Sequence, residues 1–203
     1  MSLRAILTDF DGVLRRWDPA PARAAEAAAG LTPGALAAAA FAPELLLPAI
    51  RGEVEDATWR ARIAERLAER VGPERARAAV AAWSESCGEL DPEVHELLAR
   101  ARPACTLVLV TNATTRLPSD LARLGLEGFF DAVVSSAELG CEKPREAIYR
   151  AALERAGVAA SEALFVDDQL ENVAAAAALG LVGHRFTQPG LLAALLGDRA
   201  GST

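Results

Sequence analysis

Lysine is almost missing from this chain. Of its 21 Lys plus Arg residues, all but Lys143 are arginine. Aromatic residues make up only 5% while alanine dominates the apolar count, which favours helices over an all-β design. Three cysteines, Cys87, Cys105 and Cys141, are odd in number and too scattered for a zinc site, and they suit a reducing cytoplasm. Two histidines, His95 and His184, fall in separate segments, where a structural role suits both and neither fits a catalytic triad. Positive charge is in deficit, with a formal net charge of −7, so no phosphate-neutralising face for nucleic acid is expected. No apolar run approaches the roughly 18 residues of a membrane span. The N-terminal stretch carries Arg4, Asp9 and Asp11, unlike a secretory signal. These absences lead to the expectation of a cytoplasmic protein with no membrane or nucleic-acid partner. No sequence feature specifies an oligomeric state.

What is present suffices for a substantial core. The chain has 203 residues, 52% of them hydrophobic and 24% charged, as in a globular protein with one core or a core and a smaller unit. The opening "LRAILTDFDGVL" reads as a buried strand running into an acidic loop. From Arg15 to Glu89 the composition turns to Ala, Arg and Glu. Within it "DATWRARIAERLAERVG" repeats apolar residues at Ile63, Leu67 and Val71 before Gly72-Pro73 stops the helix. No strand run is evident there. After Asp91-Pro92, a helix N-cap followed by proline, helices alternate with short apolar strands: "CTLVLVTN", "DAVVSS", "ALFVDD" and "LVGHRF". Nearly continuous apolar strands between helices predict an α/β fold, a doubly wound parallel sheet covered on both faces. The first strand needs partners in that sheet. The expected organisation is therefore a core of residues 1–14 and 90–203, with an all-helical unit of residues 15–89 inserted. The tail after Gly197 is expected to fray.

Ligands of open parallel sheets bind beyond the carboxyl ends of the strands. There the chain places Asp9-Phe10-Asp11-Gly12, Thr111-Asn112, Ser135-Ser136 and Asp167-Asp168, with Lys143 in a following loop. Four carboxylates converging in a partly buried cleft repel by several kcal/mol at an effective dielectric of about 20 and require a cation. An all-oxygen donor set without His or Cys suits Mg²⁺. A carboxylate beside Mg²⁺ and Lys143 can attack phosphorus and form an aspartyl phosphate. Gly12 permits a bend that brings Asp11 into position to protonate the leaving oxygen and later deprotonate water. The Thr111 hydroxyl, the Asn112 backbone N–H and Lys143 can hold phosphoryl oxygens. The single lysine fits this picture, since a slim ammonium enters between crowded oxygens where a wide guanidinium will not.

At "DFDGVL", "LVTN", "CEKP" and "FVDDQLEN" the sequence resembles the haloacid dehalogenase (HAD) superfamily, whose four motifs occur here in order over nearly the whole chain. The resemblance implies a Rossmann-like core with a helical cap, a nucleophile at Asp9, an acid/base at Asp11, a phosphate ligand at Thr111, and Lys143 pairing with nucleophile and phosphate. It implies Mg²⁺ held by Asp9, the Asp11 backbone carbonyl and Asp168, with Asp167 assisting through water. Asn172 stands where many members carry a further Asp. The stretch "RGEVEDATWRARIAERL" is similar to the small-cap subgroup that includes sugar-phosphate phosphatases and the phosphatase domain of epoxide hydrolases. The implied activity is Mg²⁺-dependent hydrolysis of a small phosphorylated metabolite. Arg15, Arg16 and Trp17 follow the acid loop, and Arg15 is taken as a substrate contact with Gly12, Thr111 and Asn112.

Other chemistries remain alongside. A phosphomutase would pass the phosphoryl group from Asp9 to a sugar. A dehalogenase needs the nucleophile but neither a metal nor the second acid. A phosphorylated receiver module also carries acids, a Thr and a Lys-Pro, but its acid pair follows the first strand, whereas here the adjacent pair comes last.

Overall fold

The computed structural model describes residues 3–200. The chain begins with β1 (Ala5–Thr8) and then β2 (Arg15–Arg16). Five helices follow: α1 (Ala20–Ala29), α2 (Ala35–Ala40), α3 (Pro43–Ile50), α4 (Asp56–Val71) and α5 (Pro73–Ser84). After β3 (Glu89–Leu90) the alternation starts with α6 (Pro92–Ala101), β4 (Thr106–Thr111), α7 (Leu117–Arg123), β5 (Ala132–Ser135), α8 (Ser136–Leu139) and α9 (Glu146–Ala156). It ends with β6 (Ala163–Asp167), α10 (Leu170–Ala178), β7 (Val182–Arg185) and α11 (Pro189–Ala200). None of these helices is long and apolar enough to cross a membrane. The tail expected to fray from Gly197 is helical to Ala200, and its last residues, 201–203, lie outside the described residues.

The sheet order is β5-β4-β1-β6-β7, and every pairing in it is parallel. The inner strands β1, β4 and β6 are almost wholly buried and apolar because both faces are covered, whereas the edge strand β7, Val-Gly-His-Arg, is half exposed. On one face Ile6, Leu107, Leu109, Leu164 and Val166 pack with Val94 and Leu98 of α6 and Leu192 of α11. On the other, Ala5, Leu7, Val108, Val110 and Phe165 pack with Ile148 and Tyr149 of α9 and Ala176 of α10. Alternate residues of each strand thus serve different layers, as a period of two requires. The chain winds outward from β1 through β4 to β5, then returns to add β6 on the opposite side of β1. Such a reversal opens a crevice at the carboxyl ends of the two strands flanking it, here β1 and β6.

The inserted helices have their own core. Trp59, Ile63 and Leu67, spaced four apart on α4, are buried against Leu36, Ala76 and Val80. Gly72 at φ 84° ends α4 with its N–H on the Ala68 carbonyl, and Pro73 opens α5. The boundary of this unit differs from an all-helical reading of 15–89: Arg15↔Leu90 and Arg16↔Glu89 form a short antiparallel ladder. Two residues are too few to show any period in sequence, so the ladder leaves no local signal. Asp91 caps α6 through its side chain, which accepts from the N–H groups of Glu93 and Val94.

Candidate active site

Asp9 is the first residue beyond β1. Its backbone N–H still donates to the Val166 carbonyl at 2.8 Å, so the carboxylate sits directly beside the end of β6. Asp167 ends β6 and Asp168 follows it. Asp9, Asp167 and Asp168 each offer a carboxylate oxygen within 4.8 Å of the others. At that spacing and an effective dielectric of about 20, each like-charge pair repels by at least about 3 kcal/mol.

Lys143 meets this cluster from the loop after α8. Its Nζ lies 2.7 Å from Asp9 Oδ1 and 2.8 Å from Asp167 Oδ2, with the side chain almost wholly buried. Burial by itself would drive the ammonium's pKa down, but the two carboxylates outweigh it and hold the pKa above its ordinary value. Asp9 behaves in the opposite sense. Burial raises its pKa by more than Lys143 lowers it, the neighbouring Asp167 charge adds to the rise, and the pKa comes out at about 7. One ammonium therefore cannot neutralise three acids, and an ionised Asp9 calls for a further cation. The residues present fit magnesium: the donors are all oxygens, as that ion prefers. A Cβ on Gly12 would come within 2.6 Å of Asp168 Oδ2, so only glycine leaves that carboxylate its place. Gly12 also sits at φ 79°, where other residues are strained.

Asp167 takes a different part from its neighbours. Its Oδ1 accepts from the Gln169 N–H and from Asn172 Nδ2, and its Oδ2 from Lys143 and Asn172. With four hydrogen bonds from three donor groups on it and no exposure, Asp167 anchors Lys143 and has less lone-pair capacity to spare than Asp9 or Asp168. Asn172 thus supplies amide donors where a carboxylate would have added a fourth negative charge. Gln169, which has no signal in the sequence beyond its position after the acid pair, donates from Nε2 to Asp168 Oδ2 at 2.8 Å.

The opposite wall comes from β4. Asn112 uses its side chain on the Lys143 backbone, with Oδ1 accepting from the Lys143 N–H at 2.7 Å and Nδ2 donating to its carbonyl at 3.0 Å. This two-point clasp fixes the lysine loop to the end of β4. Ser136 Oγ accepts from the Ala113 N–H, steadying the same turn. Thr111 is buried, and its Oγ1 has no hydrogen-bond partner. Asp9, Asp11, Gly12, Thr111, Asn112, Lys143, Asp168, Gln169 and Asn172 together line a cavity of about 290 Å³.

Arg15 is absent from that lining. It is buried beside the cavity, where Nε and Nη2 donate to the two Asp11 oxygens at 2.7 and 2.9 Å. Its Nη1 donates to Asp120 Oδ2 at 3.0 Å, and its guanidinium lies over the Phe10 ring. Trp17 Nε1 adds a third donor to Asp11, at 2.6 Å. Arg16 turns away to Asp91, 3.6 Å distant. A buried cation next to an acid is better explained by pairing than by waiting for a ligand.

An ion pair and two further contacts join the helices of the insertion to the loops of this site. Arg51, after α3, donates from Nε and Nη2 to both oxygens of Glu142, the residue preceding Lys143, at 2.8 and 2.7 Å. Arg51 holds the Glu142 pKa at about 2, well below the usual carboxylate range. Gly52 packs on the Ala137 carbonyl so closely that a Cβ would overlap it. Asp56 accepts from the Thr114 hydroxyl at 2.7 Å.

Comparison with known proteins agrees with this architecture. The family model described as haloacid dehalogenase-like hydrolase matches residues 3–180. A ribulose-1,5-bisphosphate 5-phosphatase from Halopiger xanaduensis is 37% identical over 104 residues, covering 49% of this chain and 44% of that protein. A phosphoserine phosphatase from Thermus thermophilus is 33% identical over 162 residues, covering 79% of this chain and 61% of that protein. The chain spans less than two thirds of the length of either relative. Among solved structures, a HAD family enzyme from Bacteroides thetaiotaomicron superposes with a TM-score of 0.75 at 20% identity, covering 92% of this chain and 95% of that one. The same enzyme has been solved in complex with magnesium and inorganic phosphate, at a TM-score of 0.74, 21% identity and the same coverage.

Proposed function

The chain belongs to the haloacid dehalogenase-like hydrolases, and from that premise we propose that it is a magnesium-dependent phosphatase of small phosphorylated metabolites, working through an aspartyl phosphate on Asp9. The observation that carries this reading is the buried, unpartnered Thr111 hydroxyl lining the same small polar cavity as Lys143 and Asp9. An orphaned buried hydroxyl costs stability unless a ligand completes it. A tetrahedral phosphoryl group offers the missing acceptor.

Asp9 and Asp168 are the carboxylates with room to hold magnesium, which when bound would offset their repulsion and draw charge from a phosphoryl oxygen. Lys143, Thr111 and the Asn112 backbone N–H hold the remaining oxygens and keep phosphorus in line with Asp9. Asp9 Oδ attacks phosphorus as the bond to the leaving oxygen breaks, and Asp11 delivers a proton to that oxygen. Asp11 then takes a proton from water, whose oxygen attacks phosphorus, breaks the acyl phosphate bond and restores the Asp9 carboxylate with release of phosphate. Delivery by Asp11 requires its carboxyl to leave at least one of the donors now on it. Phosphatase names among the similar proteins support the reaction class. The three cysteines, all free, accord with a cytoplasmic setting.

The test is turnover of p-nitrophenyl phosphate with Mg²⁺ present. Asp9→Asn is expected to lower kcat by at least about 10³-fold while leaving the fold intact by circular dichroism. Turnover that survives this change would remove Asp9 from the mechanism.

A further inference from the structure

Among the residues lining the cavity none is aromatic or aliphatic, so the cavity itself can read only the phosphoryl group. Selection of the rest of the substrate falls to its rim. Trp17, bonded to the lining residue Asp11, stands out with 47% of its surface exposed. Large aromatic side chains are usually highly buried.

Trp17 is nonetheless held in place. Its indole N–H is tied to Asp11 Oδ1 at 2.6 Å, and the Arg15 guanidinium covers its ring at 4.6 Å. Arg15 is itself immobilised by Asp11 and Asp120. An exposed side chain fixed by both its edge and one face has lost most of the rotamer freedom that a ligand would otherwise have to remove. The cation on one face also draws π density towards it. The open face becomes less negative and so better suited to stack on another ring.

We infer that Trp17 is a specificity-determining residue, whose open indole face receives a planar ring carried by the leaving group of the phosphomonoester. The inference rests on the phosphatase reading for its geometry. An acid that protonates the leaving oxygen must come within hydrogen-bond reach of it, about 3 Å. Trp17 is bonded to that same acid, which puts its indole within reach of the first ring beyond the leaving oxygen.

Binding tests this without requiring turnover. Benzylphosphonate and methylphosphonate are titrated calorimetrically into the Mg²⁺-loaded full chain. The wild type is expected to bind the benzyl compound on the order of tenfold more tightly, a stacking-sized preference. Trp17→Ala should abolish that preference and leave methylphosphonate affinity within about twofold. Trp17→Phe keeps a ring but loses the N–H, and should retain most of the preference, which separates stacking from the bond to Asp11. Equal affinity of the wild type for the two phosphonates overturns the inference. So does equal weakening of both by Trp17→Ala, or loss of the preference in Trp17→Phe. A ring preference that follows this pattern in a protein without phosphatase turnover would sustain the subsite and refute the reaction.

Discussion

Residue types report chemistry more readily than direction. Asp9, Asp11, Thr111 and Asp167-Asp168 are conspicuous because each ends an apolar run, and Lys143 because it has no rival. The structure brings all of them to one cavity or its wall. Arg15 shows the limit. Its nearness to the acid loop is plain in the sequence, but whether it faces ligand depends on Asp120, 105 residues away. Asn172 and Gln169 are similar cases, since an amide's partners are set by the fold and not by spacing. Thr111 yields a prediction at this scale. Thr111→Val removes a buried hydroxyl without a partner and preserves the β-branched shape that β4 favours. The ligand-free protein should gain about 1 kcal/mol in denaturant unfolding. Inhibition by inorganic phosphate should meanwhile weaken by about tenfold, the loss of one hydrogen bond. Lower stability with unchanged phosphate inhibition would show that the hydroxyl serves the fold and not the ligand.

Elements were legible in proportion to their length and burial. The inner strands β1, β4 and β6 announce themselves as apolar runs because helices cover them on both sides, the edge strand β7 with its Gly, His and Arg much less so, and α4 does so through its four-residue spacing. The ladder of β2 and β3 and the one-turn α8 are too short for any periodic signal, and α11 is apolar nearly all round. The Arg51–Glu142 pair joins α3 to the loop that carries Lys143, and its pH dependence follows from its direction. Glu142 is held below its unfolded value of 4.5, at about 2. Its contribution to stability is therefore complete above about pH 4.5 and disappears as pH falls through 2. Arg51→Ala should lower the thermal midpoint by a few degrees at pH 7 and flatten its decline between pH 4.5 and 2. A variant whose midpoint falls in parallel with the wild type across that window would show that the pair is not the source of the slope.

At the scale of the molecule, a chain with a net charge of −7 concentrates acids where its two half-sheets meet. Binding that serves only the folded state stabilises it, by about 2.7 kcal/mol at a hundredfold excess over the dissociation constant. Mg²⁺ at that excess should raise the unfolding midpoint by about 5–10 °C. Asp168→Asn should lose most of that rise. If sodium chloride at matched ionic strength gave the same rise, general screening and not a site would be responsible. The topology of the insertion was readable from composition, because the Ala, Arg and Glu stretch interrupts a strand that must join distant partners. How it is attached was not. Residues 15–16 and 89–90 run side by side, so the polypeptide departs and comes back through a single doorway. With a separate apolar interior of its own, the helical unit is in effect a detachable attachment. Any replacement threaded through that doorway would still have to reproduce the grip of Arg51 on Glu142 and the seat of Gly52 on Ala137.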